Sequence, residues 1–392
     1  MIGDNIIDVD CCQQPKRGQF VAGDVFMSRK IRDEGRVMAV LSDGLGSGVK
    51  ASVLANMTAT MALQYTEAYV DPRRSAQTIM DTLPICEVRQ ISYSTFTIVD
   101  MNDDGETRVT EHGNPPFILL RRHKIEQVEK NSFTLEQWRD RTIYHSCFRV
   151  TDGDRLVFFS DGVTQSGMGT DARPLGWGEK AVVARVQRLV TESPQITSRQ
   201  LAESLVNEAI ANDGHEAMDD VTCAVITIRP PKHLLVVTGP PFDRVRDSEL
   251  AESIRTAKGK RVICGGTTAN ILARELDAEV TMDLSHLDPE IPPLSMMDGV
   301  DLVTEGFLTL ARTAELLDKG RPHQVPRPNA ADKLAALMLE ADIIDFVVGT
   351  RINDAHQDPN VPVELDLRRN VIRRILTALE SKHQKQGTIR FL

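Results

Sequence analysis

Four acidic positions in the first half of the chain lie beside apolar segments and could bind metal ions. Asp24 lies near the close of one predicted strand, Asp43 follows the next, Asp161 follows a third, and Asp219 precedes the last strand of this half. An aspartate followed by glycine at a strand end leaves its carboxylate and the next carbonyl free to face one cavity. Mg²⁺ and Mn²⁺ prefer such oxygen ligands, and two ions that share a carboxylate can orient a hydroxide and neutralise a phosphoryl group.

A structural explanation of the same residues is also available. Any single Asp-Gly pair is an ordinary turn signal, because both residues tolerate the backbone angles of tight turns. Four acids in one half, each in or beside an apolar strand, are harder to attribute to turns alone. On spacing alone the structural and the metal-binding explanations both stay open.

The apolar segments predict the elements that position these aspartates. Two strands are predicted at residues 19–26 and 36–42, joined by a charged turn at 29–35. Further strands are predicted at 94–101, 107–112, 117–122, 155–159 and 221–228, and helical segments at 49–66 and 180–211. Strands and helices that occur in grouped runs predict an α+β sandwich.

The second half has a different pattern. Pro230 and Pro231 follow a finished strand and predict a boundary, with domains at 1–230 and 233–392. Beyond them strands and helices alternate, which predicts an α/β domain with a mostly parallel, doubly wound sheet. A polar helix is predicted at 367–385, which either covers an edge or pairs with another chain, as in a homodimer.

Composition excludes several classes of function. The formal net charge of −10 and a pI near 5.5 give no electrostatic footprint for a nucleic acid, and no polybasic block suggests a membrane surface. No eighteen apolar residues run together, and the first residues lack the pattern of a signal peptide. Six cysteines without a CxxC pair indicate neither a disulfide framework nor a zinc site. We therefore expect a soluble, cytoplasmic protein with no nucleic-acid or membrane partner.

Five short segments in order resemble the bacterial, SpoIIE-type branch of the protein phosphatase 2C-like family. They lie at residues 23–26 (GDVF), 42–48 (SDGLGSG), 111–116 (EHGNPP), 158–164 (FFSDGVT) and 219–222 (DDVT). The resemblance covers roughly residues 10 to 229. It implies two antiparallel sheets flanked by helices. It also implies a metal-dependent serine/threonine protein phosphatase, in which two metal ions activate the attacking water and no covalent phosphoenzyme forms.

Transferred position by position, the resemblance assigns metal ligands and catalytic roles. Asp43 would bridge two Mn²⁺ or Mg²⁺ ions, the Gly44 carbonyl would bind one of them, Asp161 and Asp219 would hold the other, and Asp24 would act mainly through metal-bound water. The implied substrate is a phosphorylated regulatory protein of the anti-sigma-factor-antagonist type.

The resemblance leaves the group that protonates the leaving group unassigned. We expect His112 to be structural rather than a general acid. Cys147 and Cys223 lie in or beside apolar strands, so we expect core positions for both.

Glycine and threonine residues follow each predicted strand of the second half, at 238–241, 265–268, 304–306 and 349–351. In a parallel sheet these loops share the carboxyl edge, where ligands bind. They predict a site for a small anionic molecule, with ordinary turns and helix caps as the alternative. Function therefore stays divided between a phosphatase, a ligand-sensing signalling scaffold whose phosphatase half is weak or degenerate, and a small-molecule enzyme in the second half.

Overall fold

The computed structural model describes residues 5–44, 46–83, 95–135, 138–283, 288, 291–320, 327–351 and 363–392. The chain divides into two compact units, Met1–Pro230 and Pro231–Leu392, called the first unit and the second unit below. The division falls between the two prolines that follow the last strand of the first half. Among the described residues, no helix has both the length and the apolar character needed to cross a membrane.

The first unit alternates between groups of strands and groups of helices. Its strands are β1 (Ile6–Gln14), β2 (Val25–Ile31), β3 (Arg36–Ser42), β4 (Phe96–Met101), β5 (Glu106–His112), β6 (Ile118–Arg121), β7 (Lys124–Glu126), β8 (Asn131–Leu135), β9 (Trp138–Arg149), β10 (Arg155–Phe159) and β11 (Val221–Arg229). Its helices are α1 (Val49–Glu67), α2 (Pro72–Thr82), α3 (Asp161–Thr164), α4 (Glu179–Glu192) and α5 (Ser198–Asn212), with a 3₁₀ turn at Arg32–Glu34.

Two antiparallel sheets pack face to face in this unit. Their strand orders are β1-β11-β10-β6-β7 and β2-β3-β4-β5-β9-β8. Leu41 and Val99 of one sheet share an apolar core with Phe158 and Ile226 of the other, because alternate side chains of each strand point inward. Separate cores join the first sheet to α4 and α5 and the second sheet to α1 and α2. The predicted sandwich of two antiparallel sheets flanked by helices is confirmed.

Some element boundaries of the first unit were predicted wrongly. The strand expected at 19–26 begins only at Val25 and continues to Ile31, through the residues predicted as a charged turn. β2 is an edge strand paired with β3 and carries charged residues: Lys30 is exposed, and Arg29 is half-buried and paired with Glu67 of α1. Asp24 therefore precedes its strand rather than ending one. The helical stretch at 180–211 is two helices, separated around Pro194.

The second unit alternates strands and helices as predicted. Its strands are β12 (His233–Thr238), β13 (Lys260–Cys264), β14 (Val280–Asp283), β15 (Leu294–Met297), β16 (Val300–Thr304), β17 (Ile343–Val348) and β18 (Gln386–Phe391). Its helices are α6 (Asp247–Thr256), α7 (Gly266–Leu276), α8 (Phe307–Asp318), α9 (Ala330–Glu340) and α10 (Val363–His383), with a 3₁₀ turn at Arg244–Arg246.

These strands form one mixed sheet in the order β14-β15-β16-β13-β12-β17-β18. The strands from β16 to β18 along this order are parallel, and β14 and β15 are antiparallel additions at one edge. Helices α6 and α7 pack on one face, and α8, α9 and α10 pack on the other. The mostly parallel, doubly wound sheet is confirmed, and its strand order reverses beside β12.

Helix α10 explains the polar tail of the sequence. Ile372, Ile375 and Leu379 are fully buried in the core beneath α8 and α9, whereas the rest of the helix carries charged side chains. The helix packs on one face of its own sheet and also contacts the edge strand β18, whose Ile389 packs against the same core. Pairing with a second copy stays a prediction.

Candidate active site

Strand register brings the four predicted aspartates to one end of the sandwich. Because Val25 of β2 pairs with Ser42 of β3, Asp24 just before β2 lies beside Asp43 just after β3. In the other sheet, Phe159 of β10 pairs with Cys223 of β11, so Asp161 lies beside the Asp219-Asp220 pair. Antiparallel pairing thus converts four distant positions into two adjacent pairs, one from each sheet.

The glycine after each strand-end aspartate is required by close packing. A Cβ atom on Gly44 would lie 2.4 Å from the carbonyl oxygen of Ala51 in α1. A Cβ atom on Gly162 would lie 2.1 Å from the carbonyl oxygen of Asp220. Both distances are far shorter than any normal contact, so only glycine lets the backbones approach in this way. The Asp-Gly pairs are therefore packing requirements as well as candidate ligands.

Asp24 is buried within a network of hydroxyl and amide groups. Its side chain is only 3% exposed, and its Oδ2 accepts a hydrogen bond of 2.7 Å from Thr222 Oγ1. Gln13 Nε2 donates to the Asp24 carbonyl oxygen at 2.9 Å. Burial raises the pKa of Asp24 to about 7, the charges of Asp220 and Asp161 add to the rise, and the hydrogen bond from Thr222 opposes it.

Asp43 is positioned through its backbone by residues that the sequence did not single out. The Thr95 N–H donates to the Asp43 carbonyl oxygen, and the Asp43 N–H donates to Thr95 Oγ1, each at 3.3 Å. Thr95 Oγ1 donates in turn to Asn114 Oδ1 at 2.5 Å, and Asn114 Nδ2 donates to the Leu41 carbonyl oxygen at 3.3 Å. The segment before the paired prolines therefore serves to fix Asp43, a role that needed the tertiary structure to appear.

Asp43 and Asp161, which come from different sheets, lie close enough for each to shift the pKa of the other. Burial raises the pKa of Asp43 well above its usual value, and the charges of Asp24 and Asp161 raise it further. Burial and the charge of Asp219 raise the pKa of Asp161, while the neighbouring Asp43 carboxyl and the hydrogen bond from Gln165 oppose the rise. Crowded, buried carboxylates repel one another, and a cation between them would reverse that effect.

Asp219 and Asp220 are adjacent but differ in exposure: the Asp219 side chain is half-exposed, and the Asp220 side chain is buried. Asp219 lies 3.7 Å from Lys16 Nζ, and about 45% of its side chain is exposed. Asp220 is buried, and its two oxygens accept the N–H groups of Lys16 and Gly23, each at 2.9 Å. Asp220 therefore ties down the loop that carries Asp24. Sequence reasoning assigned no role to Asp220, although its place next to Asp219 was visible.

The donor set fits a hard divalent cation by its chemistry. Three carboxylates whose pKa values are raised, chiefly by burial, offer the oxygen ligands that Mg²⁺ and Mn²⁺ prefer, and Gly44 directly follows one of them. Across the described ranges, no three carboxylate, imidazole or thiol groups converge as they would around one ion. The aspartates are gathered, but their side chains are turned partly toward hydrogen-bond partners such as Thr222 and Gln165.

Histidine and cysteine side chains take structural positions. His112 is buried against the Phe96 ring, its Nδ1 lies 3.3 Å from the Thr142 carbonyl oxygen, and burial lowers its pKa. Cys223 is buried, as expected. The expectation for Cys147 was wrong, because this residue is exposed on β9. Its neighbour Ser146 faces the interior, and alternation along the strand turns Cys147 outward.

The first unit matches a described family. Residues 33–229 match the family model described as Stage II sporulation protein E (SpoIIE). The stage II sporulation protein E of Bacillus subtilis strain 168 is 24% identical over 215 residues, which are 54% of this chain and 24% of that protein. The chain thus spans about a quarter of the length of the curated relative that it matches.

The chain is also similar to solved structures. One is the PP2C phosphatase domain of SpoIIE from Bacillus subtilis with a fragment of its regulatory domain, at 20% identity and a TM-score of 0.47, covering 57% of this chain and 64% of that one. Another contains the RsbU and RsbW domains of Rv1364c from Mycobacterium tuberculosis, at 17% identity and a TM-score of 0.48, covering 64% of this chain and 67% of that one.

Proposed function

Because the chain belongs to the stage II sporulation protein E (SpoIIE) family, we propose that its first unit is a metal-dependent phosphatase of phosphoserine and phosphothreonine in a regulatory phosphoprotein. The observation that carries this proposal is the meeting of Asp24, Asp43 and Asp161 at one end of the sandwich, where their pKa values are raised. Perturbed carboxylates that gather from separate strands are typical of sites that hold catalytic cations.

The aspartates divide into ligands and supporting residues. In this proposal Asp43 would serve both ions of a pair, the Gly44 carbonyl would bind one of them, and Asp161 and Asp219 would hold the other. Asp24 is deeper and more tightly hydrogen-bonded, which suits a contact through water. Two Mn²⁺ or Mg²⁺ ions would supply Lewis-acid activation of the attacking water and neutralise the phosphoryl charge.

Hydrogen bonds within the chain orient the aspartates. Asp220 holds Lys16 and Gly23 so that Asp24 stays against Thr222. Gln165 Nε2 donates to Asp161 Oδ2 at 2.7 Å and so fixes one face of that carboxylate. In this proposal the carboxylate oxygens that these bonds leave unused would hold the cations.

The surface near the aspartates favours a protein as substrate. Large apolar side chains are exposed on three neighbouring segments; they are Phe20, Met168, Leu175 and Met218, called the apolar rim below. The Arg17 N–H donates to the Ala217 carbonyl oxygen at 2.8 Å, and Asp213 accepts from both Gly167 and Met218. These bonds hold the three segments together beside Asp219. Clustered exposed apolar residues are typical of protein-docking surfaces.

The decisive experiment replaces single carboxylates. Asp43→Asn and Asp161→Asn should each abolish hydrolysis of p-nitrophenyl phosphate in the presence of Mn²⁺, because each removes charge from the shared cluster. Asp152→Asn, which changes an exposed aspartate in a turn of the same unit, is the matched control and should retain activity. Circular dichroism of all three variants should match that of the wild type.

Unchanged hydrolysis in Asp43→Asn or Asp161→Asn would refute the assignment. Absence of hydrolysis in the wild type at any Mn²⁺ or Mg²⁺ concentration would favour the alternative, a signalling scaffold whose phosphatase half is degenerate. By family resemblance, the first phosphoprotein to assay is a phosphorylated regulator of the anti-sigma-factor-antagonist type.

The apolar rim provides a separate test of the substrate class. Phe20→Ser should lower kcat/KM for a phosphoprotein about threefold to tenfold, and lower it much less for p-nitrophenyl phosphate, which is too small to reach the rim. Phe242→Ser, at an exposed phenylalanine in the second unit, is the matched control. Equal losses on both substrates after Phe20→Ser would show that the rim does not contact the protein substrate.

A further inference from the structure

A cavity of about 380 Å³ lies at the carboxyl ends of β12, β13 and β16 in the second unit. Its wall includes Thr238 at the end of β12, the segment 264–268 after β13, and Glu305 with Gly306 after β16. Leu367 and Arg368 of α10 complete it. In doubly wound sheets, ligands bind at this edge, and a volume of a few hundred cubic ångströms suits a small molecule.

Two helices begin at this cavity without a side-chain cap. Gly265 precedes α7 and Gly306 precedes α8, and neither provides a capping hydrogen bond to the first turn. The helices have 11 and 12 residues, so both have developed dipoles. Their first N–H groups therefore present partial positive charge at the cavity wall, which favours an anionic group.

An independent observation concerns Thr238. This residue is 1% exposed and lines the cavity, yet its Oγ1 has no hydrogen-bond partner among the residues that the structure describes. Alternation along β12 puts its side chain on the same face as Leu234 and Val236, the face that carries α8 and α10. A buried hydroxyl without a partner costs free energy unless a bound group satisfies it.

The charged residues of the wall define the class of ligand. A Cβ atom on Gly239 would lie 2.5 Å from Arg368 Nη1, so this guanidinium group lies against the loop that follows β12. Arg368 offers donors suited to a phosphate or carboxylate. Glu305 is an acceptor on the same wall, and it requires a ligand that also carries a hydroxyl or amino donor.

From this wall we infer that the second unit binds a small phosphorylated metabolite that bears hydroxyl groups, such as a sugar phosphate or a mononucleotide. The phosphate lies against the first turns of α7 and α8 and against Arg368, the hydroxyls donate to Glu305, and Thr238 Oγ1 bonds to a polar atom of the ligand. The loop at 349–351, predicted to share the site, does not line the cavity. Gly349 instead packs against the carbonyl oxygens of Gly239 and Pro240.

Calorimetric titration of the full chain tests this inference. The probes are inorganic phosphate, ribose 5-phosphate, AMP and unphosphorylated ribose, all in EDTA so that a metal centre in the first unit contributes no phosphate binding. Ribose 5-phosphate or AMP should bind saturably, and ribose should not. Thr238→Val should weaken binding about threefold to tenfold, the effect of losing one neutral hydrogen bond. Arg368→Gln should weaken it about tenfold to a hundredfold.

Thr309→Val is the matched control. Thr309 is also fully buried in the second unit with an unpartnered Oγ1, but it does not line the cavity, so this variant should bind like the wild type. Thr238→Val should not lower the thermal stability, since its hydroxyl has no partner to lose. The inference is overturned if no probe binds saturably. It is equally overturned if a bound probe is unaffected by both Thr238→Val and Arg368→Gln.

Discussion

The two units both place polar groups at the ends of β-strands, but with opposite electrostatics. In the first unit the groups are carboxylate side chains, brought together from two antiparallel sheets, whose pKa values are raised. In the second unit they are backbone N–H groups at helix starts, a hydroxyl and a guanidinium group along one parallel sheet edge. On our proposals, the first edge binds cations and the second binds an anionic ligand.

The two sites also differ in how closely other atoms pack against their glycine residues. In the first unit, Gly44 and Gly162 are packing residues, because a Cβ atom would collide with a neighbouring carbonyl. In the second unit, a Cβ atom on Gly266 would meet Glu305 Oε1 at 3.6 Å, an ordinary contact. Glycine there leaves room for a ligand instead of room for the chain's own backbone.

The largest effect should come from chelation of metal ions, because it should affect the proposed site of the first unit and not that of the second. EDTA should reduce hydrolysis by the first unit roughly a hundredfold or more, since loss of one charge-stabilising group costs about that. The same treatment should leave the binding of ribose 5-phosphate by the second unit unchanged. Iodoacetamide should have little effect, and Cys147→Ser identifies any effect that comes from the exposed thiol. Full hydrolysis in EDTA would contradict a carboxylate-held cation.

A smaller effect is expected on stability when a glycine of each unit is replaced by alanine. Gly162→Ala should destabilise the first unit by about 1–3 kcal/mol, because the methyl group collides with the Asp220 carbonyl oxygen 2.1 Å away. Gly266→Ala should leave the second unit unchanged or stabilise it by up to about 1 kcal/mol, since alanine favours the helix. Urea unfolding followed by circular dichroism measures both. Equal destabilisation would remove the distinction between packing and ligand-facing glycines.

Much of the fold followed from residue patterns because local sequence and tertiary environment agree there. The strands at 36–42, 155–159 and 343–348 are continuous apolar runs, and all three are central in their sheets. The missed strands include β1, β8 and β18, which lie at sheet edges and carry polar side chains. An edge strand needs only one partner, so its sequence need not resemble a core strand.

The candidate metal ligands could be predicted from the sequence, but the residues that hold them in place by hydrogen bonds could not. Asp24, Asp43, Asp161 and Asp219 stand beside apolar runs, and a spacing argument can find them. The supports Asp220, Thr222 and Thr95 act through hydrogen bonds that cross from one element to another. Such bonds depend on which strands pair and in which register, and that information is not local in the sequence.

The smallest predicted effect is a pH dependence confined to the first unit. Burial lowers the pKa of His112, the Thr142 carbonyl opposes the shift, and the charge of Arg141 adds to it. The unfolded chain therefore binds a proton at this residue more readily than the folded one. The contribution to stability is full above the unfolded pKa of about 6.5 and is lost as the pH falls through it toward the lower folded pKa.

His112→Gln removes this titration while keeping a donor near the Thr142 carbonyl. Both tryptophans of the chain, Trp138 and Trp177, belong to the first unit, so tryptophan fluorescence during urea unfolding reports on that unit alone. The variant should have a lower free energy of unfolding than the wild type at pH 7.5. This difference should become smaller toward pH 5, because only the wild type gains a proton at residue 112 on unfolding. The aspartates titrate in both proteins, so the difference isolates His112. His123→Gln, at an exposed histidine of the same unit, is the control for the histidine-to-glutamine change itself. If the difference in free energy of unfolding between His112→Gln and the wild type does not change with pH, His112 is not the group that makes the first unit sensitive to acid.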